Sequence, residues 1–193
     1  MENIILYAKE NHIPIIRPKS LEILIQTLEK CTPKRVLEIG TAIGYSGINI
    51  LKNTNAHLTT VELNPVLFKV AEDNFKRFNY SDRVTMFNMD AMQLICELKK
   101  RGERFDFIFL DGPKGQYVKY LPSLTDLLTD GGVMFSDNVL FKGMVKSDEY
   151  PPHKYRTIVV NLREFLKQIN VTPLKSTLLQ IEDGIAITQK EEK

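Results

Sequence analysis

Three polar side chains stand directly after apolar runs in the second half of the chain: Asp111 after Phe105–Leu110, and Asp137 with Asn138 after residues 133–136. If the two runs are neighbouring strands, their ends lie about 5 Å apart and two carboxylates and an amide oxygen converge. Converged carboxylates repel one another unless something positive lies between them. An all-oxygen set without His or Cys selects a hard cation, magnesium above all, with positions left for water and substrate. The alternative for each acid taken alone is a helix N-cap. Lys114 follows Asp111 by three residues in the turn Asp111-Gly112-Pro113-Lys114-Gly115. Beside a metal and a second cation its ammonium would be discouraged, which makes Lys114 a candidate general base and Asp111 its catalytic neighbour; alone, it reads as a solvated surface lysine.

A second constellation lies in the first half. Arg35–Ile39 is apolar, bounded by Pro33 and Gly40, and reads as a buried parallel strand. Gly40, Gly44 and Gly47 then permit a sharp turn, close approach of backbone N–H groups to a ligand, and an immediate helix start. His57–Val61 alternates as a strand and ends at Glu62, about 20 residues past the first glycine, where an acid can hydrogen-bond both hydroxyls of a ribose. The dinucleotide fingerprint needs glycine where Ala42 stands, and Glu38 before the turn would repel phosphate but attract an amino group. A ribose acid plus a second acid near the turn suits S-adenosylmethionine, which carries an ammonium and a sulfonium and no phosphate. A dinucleotide, or a glycine turn with no ligand, stays open on these residues alone.

These groups need a frame. Residues 1–18 read as a short helix and an extended segment holding Pro14 and Pro18. Residues 20–29 carry Leu21, Leu24, Ile25 and Leu28 at helical spacing. Asn64-Pro65 opens a helix running to Phe78, residues 83–87 form a strand, and Asp90-Ala91 opens a helix to Leu98. Residues 116–128 and 155–169 read as helices, residues 139–153 as a mobile loop and candidate lid, and residues 174–180 with 184–188 as a closing hairpin. Strands alternating with helices predict an α/β, doubly wound, Rossmann-like sheet of seven strands. It should be mostly parallel, with an antiparallel C-terminal strand and helices on both faces.

With 193 residues, 43% of them hydrophobic, the chain has enough apolar content for one domain over 1–193, including residues 1–30 as an N-terminal helical segment. Lys and Arg number 26 against 24 acids, so bulk charge selects no partner. Residues 142–175 are different, with seven Lys or Arg against three acids, and Tyr150 and Tyr155 among them. Such a surface would engage phosphates and stack on bases, or is simply a solvated helix face and loop. Cys31 and Cys96 are isolated, which argues against a disulfide framework or a zinc site. No run reaches membrane-spanning length, so a cytoplasmic protein without a membrane partner is expected.

Taken together, residues 37–46, Asp111-x-x-Lys114-x-x-Tyr117, Asp137-Asn138-Val139-Leu140 and Asp183-Gly184-Ile185-Ala186 resemble the catechol and caffeoyl-CoA type of metal- and S-adenosylmethionine-dependent O-methyltransferase. The resemblance spans nearly the whole domain. Through Lys114-Gly115-Gln116-Tyr117 and Asn138-Val139-Leu140-Phe141-Lys142-Gly143 it is most similar to the bacterial tRNA 5-hydroxyuridine methyltransferases. It implies that Ile16, in the N-terminal segment, touches the donor, that Glu38 and Gly40 lie against its methionine part, that Ser46 holds its carboxylate and Glu62 its ribose, and that Asp90 and Ala91 meet the adenine. Asp111, counted also among the donor contacts, would hold magnesium with Asp137 and Asn138, and Lys114 would be the base. The acceptor implied is tRNA carrying 5-hydroxyuridine or, alternatively, a small catechol-like phenol. Either has two adjacent oxygens. A non-catalytic RNA-binding protein is a minor alternative. The short stretch before Ile16 and the lack of tryptophan weigh against a coenzyme A ester, and a homodimer is implied.

Overall fold

The structure, a computed structural model, describes residues 1–192; Lys193, the last position of the expected domain, lies outside the described residues. Strands β1 Arg35–Ile39, β2 His57–Val61, β3 Val84–Phe87, β4 Phe105–Leu110, β5 Leu128–Asp137, β6 Leu174–Leu179 and β7 Ile185–Lys190 form one sheet in the order β3-β2-β1-β4-β5-β7-β6. The first five pair in parallel, and β7 lies antiparallel between β5 and β6. This is the doubly wound sheet that the alternation of elements predicts. The helices are α1 Glu2–Glu10, α2 Pro18–Cys31, α3 Tyr45–Lys52, α4 Pro65–Arg77, α5 Ala91–Lys100, α6 Tyr117–Leu127 and α7 Arg156–Gln168.

Strand periodicity divides the core between the two faces. In β4, Phe107 and Phe109 point to one side and Ile108 and Leu110 to the other, all fully buried. The first pair packs with Leu24 and Leu28 of α2, Ile48 of α3 and Phe75 of α4. The second packs with Leu94 of α5, Leu124 of α6, and Leu162 and Phe165 of α7. Each buried side chain of this kind contributes about 1.5–3 kcal/mol, so the sheet is clamped from both sides. The chain leaves β1 toward β2 and leaves β4 toward β5, although β1 and β4 are neighbours. That reversal opens a crevice above their carboxyl ends.

Two boundaries differ from the sequence expectation. β5 begins at Leu128 instead of Val133, because Gly131 and Gly132 lie within the strand. Gly131 has φ +75°, and the register against β4 shifts between Phe105 and Phe107, a bulge that bends the strand without ending it. Residues 139–153 are anchored over their first half. The Val139 and Leu140 N–H groups donate to Gly184 and Asp183 carbonyls at 3.0 and 2.9 Å. The Arg163 guanidinium donates to the carbonyls of Met144, Val145 and Ser147. Arg163 is therefore spent on holding a loop, which removes it from the basic surface.

Candidate active site

A cavity of about 390 Å³ occupies the crevice, walled by the ends of β1, β2 and β4 and by the N-terminal segment through Ile13 and Ile16. Of the sequence-predicted residues, Ile16, Gly40, Ser46, Glu62, Asp90 and Ala91 line it, as do Asp111, Lys114 and Asn138.

The turn after β1 is built more tightly than glycine content alone implies. Gly40 has φ +103°, and a Cβ there would lie 2.6 Å from the Asp111 carbonyl oxygen, so only glycine lets the β1 and β4 ends approach. Four N–H groups of the turn are already used. Gly40 and Thr41 donate to the Val61 carbonyl at 3.2 and 3.1 Å, Gly44 to Thr41, and Ala42 to the Glu62 carboxylate at 2.9 Å. By that accounting the N–H groups of Gly40, Thr41, Ala42 and Gly44 are turned to protein acceptors and away from a ligand. Glu62 also accepts from Asn64 N–H at 2.8 Å, so its carboxylate is held in place at the cavity wall.

Glu38 does not line the cavity. It is fully buried behind Ser46, accepting from the Ser46 hydroxyl at 2.5 Å and the Thr60 hydroxyl at 2.6 Å. Burial pushes its carboxyl up to about 7, against the pull of those two hydroxyls and with help from Asp111 and Glu62. The sequence reading placed it against the donor; here it orients Ser46, which does reach the cavity. Asp90 accepts from the Met92 and Gln93 N–H groups at 2.8 and 3.3 Å, so it is the N-cap of α5 as well as part of the wall.

At the other end, β4 pairs with β5 through Leu110 and Ser136, and this brings Asp111, Asp137 and Asn138 to adjacent strand ends. Asp137 is 1% exposed. Burial and the like charge of Asp111 push its carboxyl up to about 6, while Lys114, the Asn138 N–H and the Ser20 hydroxyl pull the other way. Ser20, in the first turn of α2, also donates to Glu182 at 2.7 Å. Among the described residues no three His, Cys, Asp or Glu side chains cluster as a metal site; the set here is two acids and an amide. Two acids and an amide at neighbouring strand ends, oxygen donors only, are of the type that suits a hard divalent cation.

The Lys114 ammonium bonds the Asp111 carboxylate and the Tyr117 hydroxyl, the latter at 2.9 Å. Burial pulls this ammonium down, but the Tyr117 and Asp111 oxygens against it prevail and the net shift is upward. The expectation of a depressed lysine belongs to a site with a metal and a sulfonium beside it; against the Asp111 and Tyr117 oxygens alone the charged form is favoured. Tyr117 is a site residue whose role sequence reasoning missed. It appeared only as the last letter of a motif, and its helical spacing from buried Tyr120, Leu121 and Leu124 reads as plain core.

The fold and crevice define a doubly wound domain that takes a nucleoside-bearing, phosphate-free cofactor at its switch point. Residues 6–191 match the family model for O-methyltransferase. A catechol O-methyltransferase of Niastella koreensis is 29% identical over 178 residues, covering 88% of this chain and 77% of that protein. Among solved structures, a Staphylococcus aureus protein provisionally described as a caffeoyl-CoA O-methyltransferase is 28% identical, with TM-score 0.89 over 98% of this chain and 91% of that one. The methyltransferase PaMTH1 of Podospora anserina, solved with S-adenosylhomocysteine bound, is 25% identical, with TM-score 0.79 over 92% and 80%. The chain belongs to the O-methyltransferase family, as an S-adenosylmethionine-dependent enzyme of the catechol and caffeoyl-CoA type. No helix among the described residues is long and apolar enough to cross a membrane.

Proposed function

We propose that this enzyme, with a divalent cation such as magnesium, methylates the 5-hydroxyl of 5-hydroxyuridine at the tRNA wobble position, giving 5-methoxyuridine. The observation that carries the reading is the meeting of Asp111, Asp137 and Asn138 at paired strand ends beside Lys114 and the donor crevice. A cation held by these three would fix two adjacent acceptor oxygens, one of them the hydroxyl, and would acidify that hydroxyl. Glu62 is assigned to the ribose of the donor, Asp90 and Ala91 to its adenine, Ser46 to its carboxylate, Gly40 to the methionine part, and Ile16 to a donor contact from the N-terminal segment. The acceptor oxygen forms its bond to the methyl carbon as the carbon–sulfur bond breaks, leaving S-adenosylhomocysteine. Lys114 is assigned the hydroxyl proton. That role needs Asp111 to be engaged elsewhere than on the ammonium. Charge is neutralised in the transfer, so the apolar wall of Ile13, Ile16 and Leu63 favours it by excluding water.

Support for an RNA acceptor lies on the neighbouring surface. Lys142 and Lys154 stand 5.2 and 5.5 Å from the Tyr155 ring, and Arg156 stacks 4.5 Å over Tyr150, which is 74% exposed. None of these three cations forms an ion pair among the described residues. Unpaired cations beside an exposed ring, Tyr150, and a half-buried one, Tyr155, suit phosphates and an unstacked base. The names of the relatives favour a second reading, a small catechol-like phenol as acceptor. A homodimer is part of the proposal, with Ile5 and Leu6, exposed on α1, as its apolar contact.

Undermodified tRNA and a simple catechol, each incubated with donor and magnesium, separate the readings. Methoxyuridine in digested tRNA is expected, and methylation of the catechol alone overturns the tRNA assignment.

A further inference from the structure

We propose that the Tyr117 hydroxyl is the positioning group that sets the spacing of the β4 and β5 ends, and through them the oxygen cluster of Asp111, Asp137 and Asn138. The ladder between these strands stops at Leu110 and Ser136. Beyond that pair the two chains part. The Asp111 N–H donates sideways to the Ile39 carbonyl on β1 at 3.0 Å, and Asp137 pairs with Ile185 on β7. The Asp137 carbonyl lies past the last pair and faces the gap between them, where an unpaired buried acceptor is costly, and the Leu110 carbonyl sits at the edge of that gap.

Tyr117 bridges that gap. Its hydroxyl lies 2.9 Å from the Leu110 oxygen and 3.2 Å from the Asp137 oxygen. Its single proton is shared between these two acceptors, so toward Lys114 Nζ, 2.9 Å away, the hydroxyl acts only as an acceptor. One buried atom therefore touches the residue before Asp111, Asp137 itself and the lysine. The ring that carries it has no freedom to drift: it is fully buried and packs edge-to-face on Phe165, with centroids 5.4 Å apart. Packing alone would be served by phenylalanine. Three partners converging from one cluster point instead to a strut. A cation site tolerates displacements of only about 0.5 Å in its ligands, which makes such a strut matter to affinity.

This role rests on the reading of Asp111, Asp137 and Asn138 as a cation site, and the test separates the two. Wild type and Y117F are titrated with Mn²⁺ alone, followed by the resonance of the free ion, and with S-adenosylmethionine by calorimetry. Y117F is expected to weaken Mn²⁺ about tenfold or more while donor affinity moves less than about threefold. Phe165→Leu, which loosens the ring but keeps the hydroxyl, should lower Tm while weakening Mn²⁺ clearly less than Y117F does. Tyr117→p-aminophenylalanine, whose N–H groups can meet the same two carbonyls, should bind the ion nearly as wild type does, and it carries the comparison if Y117F does not fold. Absence of Mn²⁺ binding by the wild type overturns the cation reading and this role with it. Wild-type affinity in Y117F, equal weakening in Phe165→Leu, or a folded p-amino variant that binds poorly overturns the positioning role alone.

Discussion

Ser46 donates its hydroxyl to the Glu38 carboxylate at 2.5 Å, and that carboxylate has no exposed surface at all. Glu38 is raised from its ordinary 4.5 to about 7, chiefly by burial. Between these values the folded state binds more protons than the unfolded one, so stability falls as pH rises through the window and is flat above it. The whole effect is about 3 kcal/mol at most. Glu38→Gln should reduce this slope, measured by denaturant unfolding at pH 5 and pH 8, leaving the part that the raised Asp137 carboxyl contributes. An unchanged slope in the variant would assign the pH dependence elsewhere.

Glu62 accepts from two backbone N–H groups and faces the crevice. Glu62→Ala should weaken S-adenosylmethionine about ten- to a hundredfold, the worth of charge-assisted hydrogen bonds to ribose. It should also lower Tm, since the Ala42 and Asn64 N–H groups lose their partner. Calorimetry with the donor checks the first, and equal affinity would remove Glu62 from the donor site.

Chelation tests the oxygen cluster directly. Removing divalent ions should suppress turnover at least about a hundredfold, with recovery on adding magnesium, and Asp137→Ala should not recover. Full activity in chelator would contradict the cation reading.

Arg156 and Lys142 carry no ion pair among the described residues, and flank exposed Tyr150 and half-buried Tyr155 respectively. Lys142→Glu with Arg156→Glu should cut kcat/KM for tRNA by about tenfold or more and flatten its salt dependence, with little change for a catechol. Equal losses on both acceptors would place these residues in folding and not in RNA contact.

Much of this site was legible from local pattern. Apolar runs bounded by Gly and Pro mark strand ends, and the polar residue that follows each run is necessarily at the sheet's carboxyl edge, so Asp111, Asp137, Asn138, Glu62 and Asp90 were found by position alone. What could not be read were contacts between groups distant in the chain. Glu38 lies one residue before Gly40, yet it turns into the core toward Thr60, 22 residues on, and not into the crevice. The N–H groups of the glycine turn are claimed by Val61 and Glu62, which a motif cannot show. Gly131 and Gly132 looked like a boundary, and pairing with β4 absorbed them as a bulge.

By itself the sequence determined the alternation of strands and helices and which residue types cap each strand, because periodicity and turn chemistry act within a few residues. Only the tertiary structure decided that β4 and β5 adjoin, that Lys114 meets Asp111 and Tyr117, and that Tyr117 spans two strand ends. Those relations depend on which strands lie side by side and where their pairing ends once the whole sheet has closed, and no short stretch of chain holds that information.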